Sequence, residues 1–206
     1  DRDEDEFLYE DPDGVGDLIR EAGEFVHICV DRESYGYGYE IARRLLGLSV
    51  MTGGEIAAHR DETMTVAELI RHQLCALDYR RMVMDGIYAA YCANEPKLRA
   101  RVVYEMIAAS ARDDITIEEV MRYGEGLPEG DAFLAGWVAC LGDISSHLAD
   151  RLLKEAMELA DDPEFLLETS RKYYAKHPAL YRQYLLAGAH DKENRELLAI
   201  GKEALA

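Results

Sequence analysis

The sequence predicts an all-α protein of about nine or ten helices, in antiparallel pairs that stack as an α–α superhelix. Apolar residues recur every three or four positions along most of the chain. No segment alternates polar and β-branched residues for long, so we expect almost no sheet. A weak helix–turn–helix pattern also recurs three times, which is typical of solenoid proteins.

Each copy of the pattern has a large apolar residue six positions before an Asp. These residues are Phe25, Trp137 and Leu185, ahead of Asp31, Asp143 and Asp191. The apolar and small positions of the following helix align as well, grouped as Gly38, Ala149 and Leu197; Ile41, Leu152 and Ile200; Ala42, Leu153 and Gly201; Leu45, Ala156 and Ala204; Leu46, Met157 and Leu205.

The first half of the chain is predicted element by element. Residues 1–14 form an acidic arm, which Phe7, Leu8 and Tyr9 could dock onto the body. The helical period then predicts helices at about 15–30 and 35–48, and a glycine-containing, polar stretch predicts an irregular connection near 49–64.

Two capping boxes mark the next helix starts. Thr65 with Glu68 predicts a long helix over 66–94, with Asp78 and Gly86 as candidate points of interruption. Pro96 opens a helix to about 112, since proline suits the first helical turn. Thr116 with Glu119 starts a short helix to 123, and the glycine-rich segment 124–130 is a loop.

The remaining helices are predicted at 131–142, 144–160, 163–176, 178–189 and 192–205. The last of these helices has a row of apolar residues on one side, and no polar capping helix follows it. We therefore expect that the natural protein continues or that another subunit covers this helix. The pattern as a whole predicts one helical repeat domain over 15–206.

Residues 131–160, residues 178–206 and the segment YGYEIARRLL of the first pair resemble tetratricopeptide-like helical repeats. The resemblance covers the two ends of the chain, and residues 50–125 do not keep its period. It implies binding of a protein or peptide but identifies no binding residues. It also implies small residues where paired helices cross, here Gly38, Ala42, Ala149, Ala156, Gly201 and Ala204.

Charge and cysteine content indicate which partners and which cellular location to expect. The net charge of −18 repels phosphate backbones and anionic membranes, so we expect neither nucleic acid nor membrane partners. The acidity promotes solubility and also suits a cationic protein partner. No apolar run approaches the roughly 20 residues that cross a bilayer. The four cysteines show no CxxC spacing, which favours a reducing, cytoplasmic location.

Two constellations offer chemistry, and we interpret both as structural. His72 and Cys75 would share a helix face but lack the further ligands that zinc needs. Ser145, Ser146, His147 and Asp150 lie too close in sequence for a catalytic triad, so a serine is better explained as a helix cap. We expect no catalytic residue, metal or cofactor.

Tyrosine is abundant, with 13 residues. Six of them lie near two turns and are the predicted interaction surface, with core packing an equally good explanation: Tyr35, Tyr37, Tyr173, Tyr174, Tyr181 and Tyr184.

The sequence thus predicts a non-catalytic helical-repeat module for protein–protein interaction, part of a larger intracellular protein. One alternative is an all-α enzyme or small-molecule sensor with an interhelical pocket around His72, Cys75, Tyr79 and Trp137. The other is a structural homodimer that buries the apolar residues of the C-terminal helix, Leu197, Leu198 and Leu205.

Overall fold

Helices make up most of the residues described by the structure, a computed structural model that describes residues 11, 13–52, 62–188 and 194–205. The predicted all-α class is confirmed, with one small strand pair added. Docking of Phe7, Leu8 and Tyr9 lies outside the described residues. Asp11 is described, and its carboxylate accepts hydrogen bonds from the backbone amides of Val15 (2.9 Å) and Gly16 (2.6 Å).

The elements in chain order are α1 (Val15–Asp31), α2 (Tyr35–Leu46), β1 (Ser49–Thr52), β2 (Glu62–Thr65), α3 (Val66–Arg71), α4 (Tyr79–Ala93), α5 (Pro96–Ser110), α6 (Ile117–Arg122), α7 (Gly130–Gly142), α8 (His147–Ala160), α9 (Pro163–Tyr173), α10 (Ala179–Gly188) and α11 (Asn194–Glu203).

The helix starts predicted at Thr65 and Thr116 are confirmed by their hydrogen bonds, whereas the helix predicted from 144 begins at His147. The Thr65 hydroxyl accepts from the Glu68 amide, and the Glu68 carboxylate accepts from the Thr65 amide. Thr116 and Glu119 make the same reciprocal pair at the start of α6. Ser146 caps α8 by accepting from the amide of Ala149 at 3.0 Å.

The predicted long helix over 66–94 is wrong, because the chain forms the separate helices α3 and α4. Gln73 takes a left-handed conformation (φ 61°) just after α3. The Leu74 amide then donates back to the Leu69 carbonyl at 2.9 Å, which closes the helix end. Asp78, one of the two predicted interruption points, caps α4 by accepting from the amide of Arg81.

Ordered strands occupy both ends of the segment predicted as an irregular connection. β1 and β2 pair antiparallel, with Ser49 opposite Thr65 and Thr52 opposite Glu62. Thr65 therefore ends a strand and caps a helix at once, so the turn from β2 into α3 needs no linker. Residues 53–61 lie outside the described part.

The contacts between residues divide the chain into two compact units. The first unit comprises the described residues of Asp1–Glu95 with Val102–Ala111, and the second those of Pro96–Arg101 with Arg112–Ala206.

The first unit is a layer of three packed helices, α1, α2 and α4. Small residues allow their close approach. A Cβ atom at Gly38 would lie 3.2 Å from the Cβ of Cys29, and one at Gly86 would lie only 2.6 Å from the Cβ of Ala42. Gly38 and Ala42 thus lie where helices approach each other closely.

The second unit packs α7 against α8 and α9 against α10. Its core centres on the buried Trp137, whose ring lies 5.5 Å from that of Phe133. A Cβ at Gly142 would fall 2.5 Å from the ring of Tyr173, so that glycine admits the tyrosine. The side chain of Arg171 on α9 holds α11 through two hydrogen bonds to Glu203, of 2.7 and 2.9 Å.

The aligned repeat positions occupy different environments. All five aligned positions of α8 are buried, but Leu205, two residues beyond the end of α11, is almost fully exposed and a Cβ at Gly201 would contact nothing within 4 Å. Trp137 is buried, whereas the matching Phe25 is half exposed. The recurrence therefore marks helix pairs without fixing which side chains fill their cores.

Candidate interaction surface

Helix α1 carries exposed apolar side chains along the edge of its buried face. Ile19, Val26 and Cys29 are buried in the first unit. Leu18, Phe25 and Ile28 are exposed by 65%, 49% and 40%. Their spacing of seven and three residues brings these three side chains to one side of the helix, and we call them the apolar stripe.

Carboxylates surround the apolar stripe and outnumber the cations beside it. Two arginines lie near the stripe, the exposed Arg32, four residues after Ile28, and Arg20, whose guanidinium lies 2.9 Å from Glu24, 3.4 Å from Asp17 and 3.9 Å from Glu21. The hydrogen bond to Glu24 raises the pKa of Arg20. Three exposed carboxylates share Arg20, and with Arg32 counted as well this side of α1 keeps one net negative charge.

A depression of about 500 Å³ opens at the turn between α1 and α2. We call it the tyrosine depression, and its lining residues are Glu33, Ser34, Tyr35, Gly36, Tyr37 and Glu40. The turn folds back against the last turn of α1, because the Ser34 amide donates to the Cys29 carbonyl at 2.7 Å. The depression therefore lies at the same end of α1 as Ile28.

The two tyrosines of the depression differ in packing and exposure. Tyr35 packs edge-to-face on Tyr88 of α4, with ring centroids 5.9 Å apart, which fixes its ring. Tyr37 is 76% exposed. An exposed aromatic ring beside a fixed one offers apolar area and a negative π face to a partner.

The two glutamates of the depression differ in their ion pairs. Glu40 lies 2.7 Å from Arg44 and 3.0 Å from Arg43, and these hydrogen bonds hold its pKa below the usual range. The carboxylate of Glu33 makes no hydrogen bond or ion pair with the described residues. Glu33 is thus the lining carboxylate whose charge is left for a ligand.

The structure brings together two of the six predicted tyrosines, Tyr35 and Tyr37. The other four belong to the second unit. Tyr174 is exposed, while Tyr173, Tyr181 and Tyr184 are buried, so the contact area of these three is used within the chain. The sequence alone does not single out the apolar stripe, because its residues follow the same helical period as the buried positions of α1.

The residues considered for metal or pocket chemistry do not converge. His72 follows the end of α3 and is exposed, whereas Cys75 lies in the α3–α4 connection, where burial raises the pKa of its thiol. They share no helix face, which corrects the expected pairing. Within the described ranges, no three His, Cys, Asp or Glu side chains cluster as metal ligands would. Tyr79 belongs with them to the first unit, and Trp137 to the second.

The structure also contains two histidine–carboxylate pairs that the sequence does not predict. Asp150 contacts the buried His177, with 2.5 Å between carboxylate oxygen and Nδ1, and not its sequence neighbour His147. In the first unit, His27 Nδ1 lies 3.2 Å from the buried Asp85. An acid within the apolar run MVMDGIY was the available signal for Asp85, since buried acids need partners.

Comparison with family models, with curated proteins and with solved structures finds no match to this chain. Among the described helices, none combines the length and the apolar content that crossing a membrane requires.

Proposed function

We propose that this chain is a non-catalytic helical module that binds a protein or peptide partner through its first unit. The observation that carries the proposal is the apolar stripe, three large side chains exposed on one face of one helix. Single exposed apolar residues are ordinary, but a grouped set on one helix is typical of docking surfaces. Fully burying one such side chain contributes about 1.5–3 kcal/mol, so covering these three partly exposed side chains would offset part of the cost of association.

The tyrosine depression supports the same proposal. It extends the surface beyond the end of α1 with Tyr37, and tyrosine is enriched at binding hot spots. Stacking of the helix pairs as a tetratricopeptide-like superhelix belongs to this proposal, and an elongated small-angle scattering profile is its test. A cytoplasmic location is also part of this proposal. It is favoured by the four cysteines, which are all free thiols.

Comparative co-purification tests this function. The variant Leu18→Asp/Phe25→Asp changes two stripe residues, and Leu159→Asp changes an exposed leucine of α8 as the matched control. We expect proteins that co-purify with the wild-type chain and with the control to be lost from the stripe variant, while all three chains keep the same circular dichroism and melting temperature. An unchanged set of co-purifying proteins would refute the proposal.

A second candidate function, a structural homodimer, is favoured by α11. Ile200 of this helix is buried, whereas Leu198 of the helix and Leu205, two residues beyond its end, are exposed. Light scattering over a concentration series separates the two functions. A dimer that Leu198→Glu converts to monomer supports the homodimer, and a monomer at all concentrations rejects it.

A further inference from the structure

We propose that the partner of the first unit is a basic amphipathic helix, one of whose Lys or Arg side chains enters the tyrosine depression. This inference rests on the proposed function and names the chemistry of the partner. It combines three observations on consecutive parts of the chain, namely the apolar stripe, the carboxylates around it and the depression at its end.

The stripe has the dimensions of a helix-binding site. From Leu18 to Ile28 the rise along α1 is about 15 Å, at 1.5 Å per residue. About three turns of a partner helix cover that length, with apolar side chains at the i, i+3 or i+4, and i+7 positions. A helix with one apolar face presents this pattern, and its flanking positions then meet the carboxylates beside the stripe.

The charges select a basic helix over an acidic one. Glu21 lies between Leu18 and Phe25 along the stripe, and Arg20 is already shared among three carboxylates. A second copy of this chain, with a net charge of −18, brings like charge to the same face. Lysine or arginine beside the apolar face of the partner pairs with these carboxylates and fixes its register.

The tyrosine depression suits a single organic cation. The ring of Tyr37 is exposed, and the Glu33 carboxylate has no ion pair within the described chain. An ammonium or guanidinium group gains both from the π face of tyrosine and from a carboxylate. Glu40 is already paired with Arg43 and Arg44, a group with one net positive charge, so it offers no free carboxylate to the cation. We therefore assign the recognition of the cation to Glu33 and Tyr37.

The test uses two synthetic 18-residue peptides with the same leucine face, one flanked by lysines and one by glutamates. Fluorescence anisotropy of each labelled peptide is measured against the full chain at low and at high salt. We expect the lysine peptide to bind at least tenfold more tightly than the glutamate peptide. Its affinity should fall with added salt, which screens exposed charge pairs.

Matched variants locate the binding. Glu21→Gln/Glu33→Gln should weaken the lysine peptide about tenfold and Tyr37→Ala several-fold. Glu118→Gln/Glu158→Gln removes two exposed carboxylates of the second unit and should change nothing. Phe25→Ala should weaken binding about thirtyfold, because it removes the central apolar contact.

The outcomes separate this inference from the function on which it rests. Equal binding of the two peptides, both lost in Phe25→Ala, overturns the basic partner and leaves the docking function standing. Lysine-peptide binding that depends equally on the carboxylates of both units overturns the assigned site. No binding of the lysine peptide overturns this inference, while the docking function is decided by the co-purification experiment.

Discussion

Glu33 and Gln73 take the same conformation at the ends of two different helices. Both are left-handed, with φ of 54° and 61°, and both precede a residue whose amide donates to the carbonyl five positions earlier. Glycine usually occupies this position, because a side chain there costs free energy. The chain thus keeps a strained glutamate in the tyrosine depression, where its charge is available to a ligand.

Replacing both residues by glycine separates strain from binding. Glu33→Gly and Gln73→Gly should each stabilise the fold by up to about 1 kcal/mol, measured by urea unfolding. Only Glu33→Gly should weaken the lysine peptide, since it alone removes a carboxylate from the depression. Equal peptide affinities in the two variants would contradict the role given to Glu33.

The His177–Asp150 pair is a second residue-scale feature with a measurable effect. Asp150→Ala leaves the buried Nδ1 of His177 without its acceptor and should cost about 1–3 kcal/mol in the free energy of unfolding. Asp150→Asn keeps an acceptor oxygen and should cost less. Chemical denaturation measures the free energy of unfolding of both variants. An Asp150→Ala variant as stable as Asp150→Asn would show that His177 does not need this partner.

At the residue scale, the sequence predicted features whose partners lie within four positions. The capping boxes at Thr65 and Thr116 and the cap at Ser146 depend on such local hydrogen bonds. Asp150 and His177 are 27 positions apart, so only the fold brings them together. The exposed Phe25 could not be separated from the buried Trp137 for the same reason, because both lie on periodic helices and only packing distinguishes them.

At the scale of elements, close helix crossings depend on single glycines. Helix α4 approaches α2 so closely that a Cβ at Gly86 would lie 2.6 Å from the Cβ of Ala42 and 3.0 Å from the Cε of Met106. Neither backbone can move without disturbing the three-helix layer. The sequence marked Gly86 as a point of helix interruption, but the helix continues through it, since the glycine serves packing and not a break.

Two glycine-to-alanine variants test this assignment. Gly86→Ala should destabilise the protein by about 1–3 kcal/mol through overpacking. Gly136→Ala, in the interior of α7 with nothing within 4 Å of the new Cβ, should stabilise it by roughly 0.5–1 kcal/mol through helix propensity. Thermal unfolding measures both, and a neutral Gly86→Ala would show that α2 and α4 are not held at this distance.

The attachment of α11 depends on pH. Hydrogen bonds from Arg171 and Tyr181 lower the pKa of Glu203 from its ordinary 4.5 to about 2. A carboxyl whose pKa is lowered by folding stabilises the fold fully above its unfolded pKa. That contribution is lost as the pH falls from about 4.5 towards 2.

Urea unfolding of wild type and Glu203→Gln at several pH values measures this contribution. The wild type should be more stable by a constant amount above about pH 5, and the difference should shrink towards zero as the pH approaches the folded pKa. Glu158→Gln, from the looser pair with Lys154 at 3.7 Å, is the control. A difference between wild type and Glu203→Gln that stays constant down to pH 2 would contradict the attachment.

At the scale of the whole molecule, composition and period predicted the helical class, and capping boxes located the starts of α3 and α6. The division into two units has no such local signal, because it depends on which helices contact each other. The α3–α4 connection was hidden for a related reason. Its residues Cys75 and Leu77 are apolar and buried, so they continue the helical pattern although the backbone there is not helical.

Docking of a partner on the exposed side of α1 is tested most directly by amide chemical-shift mapping. The ¹⁵N-labelled chain is titrated with the lysine peptide. We predict salt-sensitive shifts concentrated between residues 17 and 40, with the amides of the second unit unchanged. Shifts centred on the second unit, or no shifts at concentrations far above the anisotropy midpoint, would contradict the account.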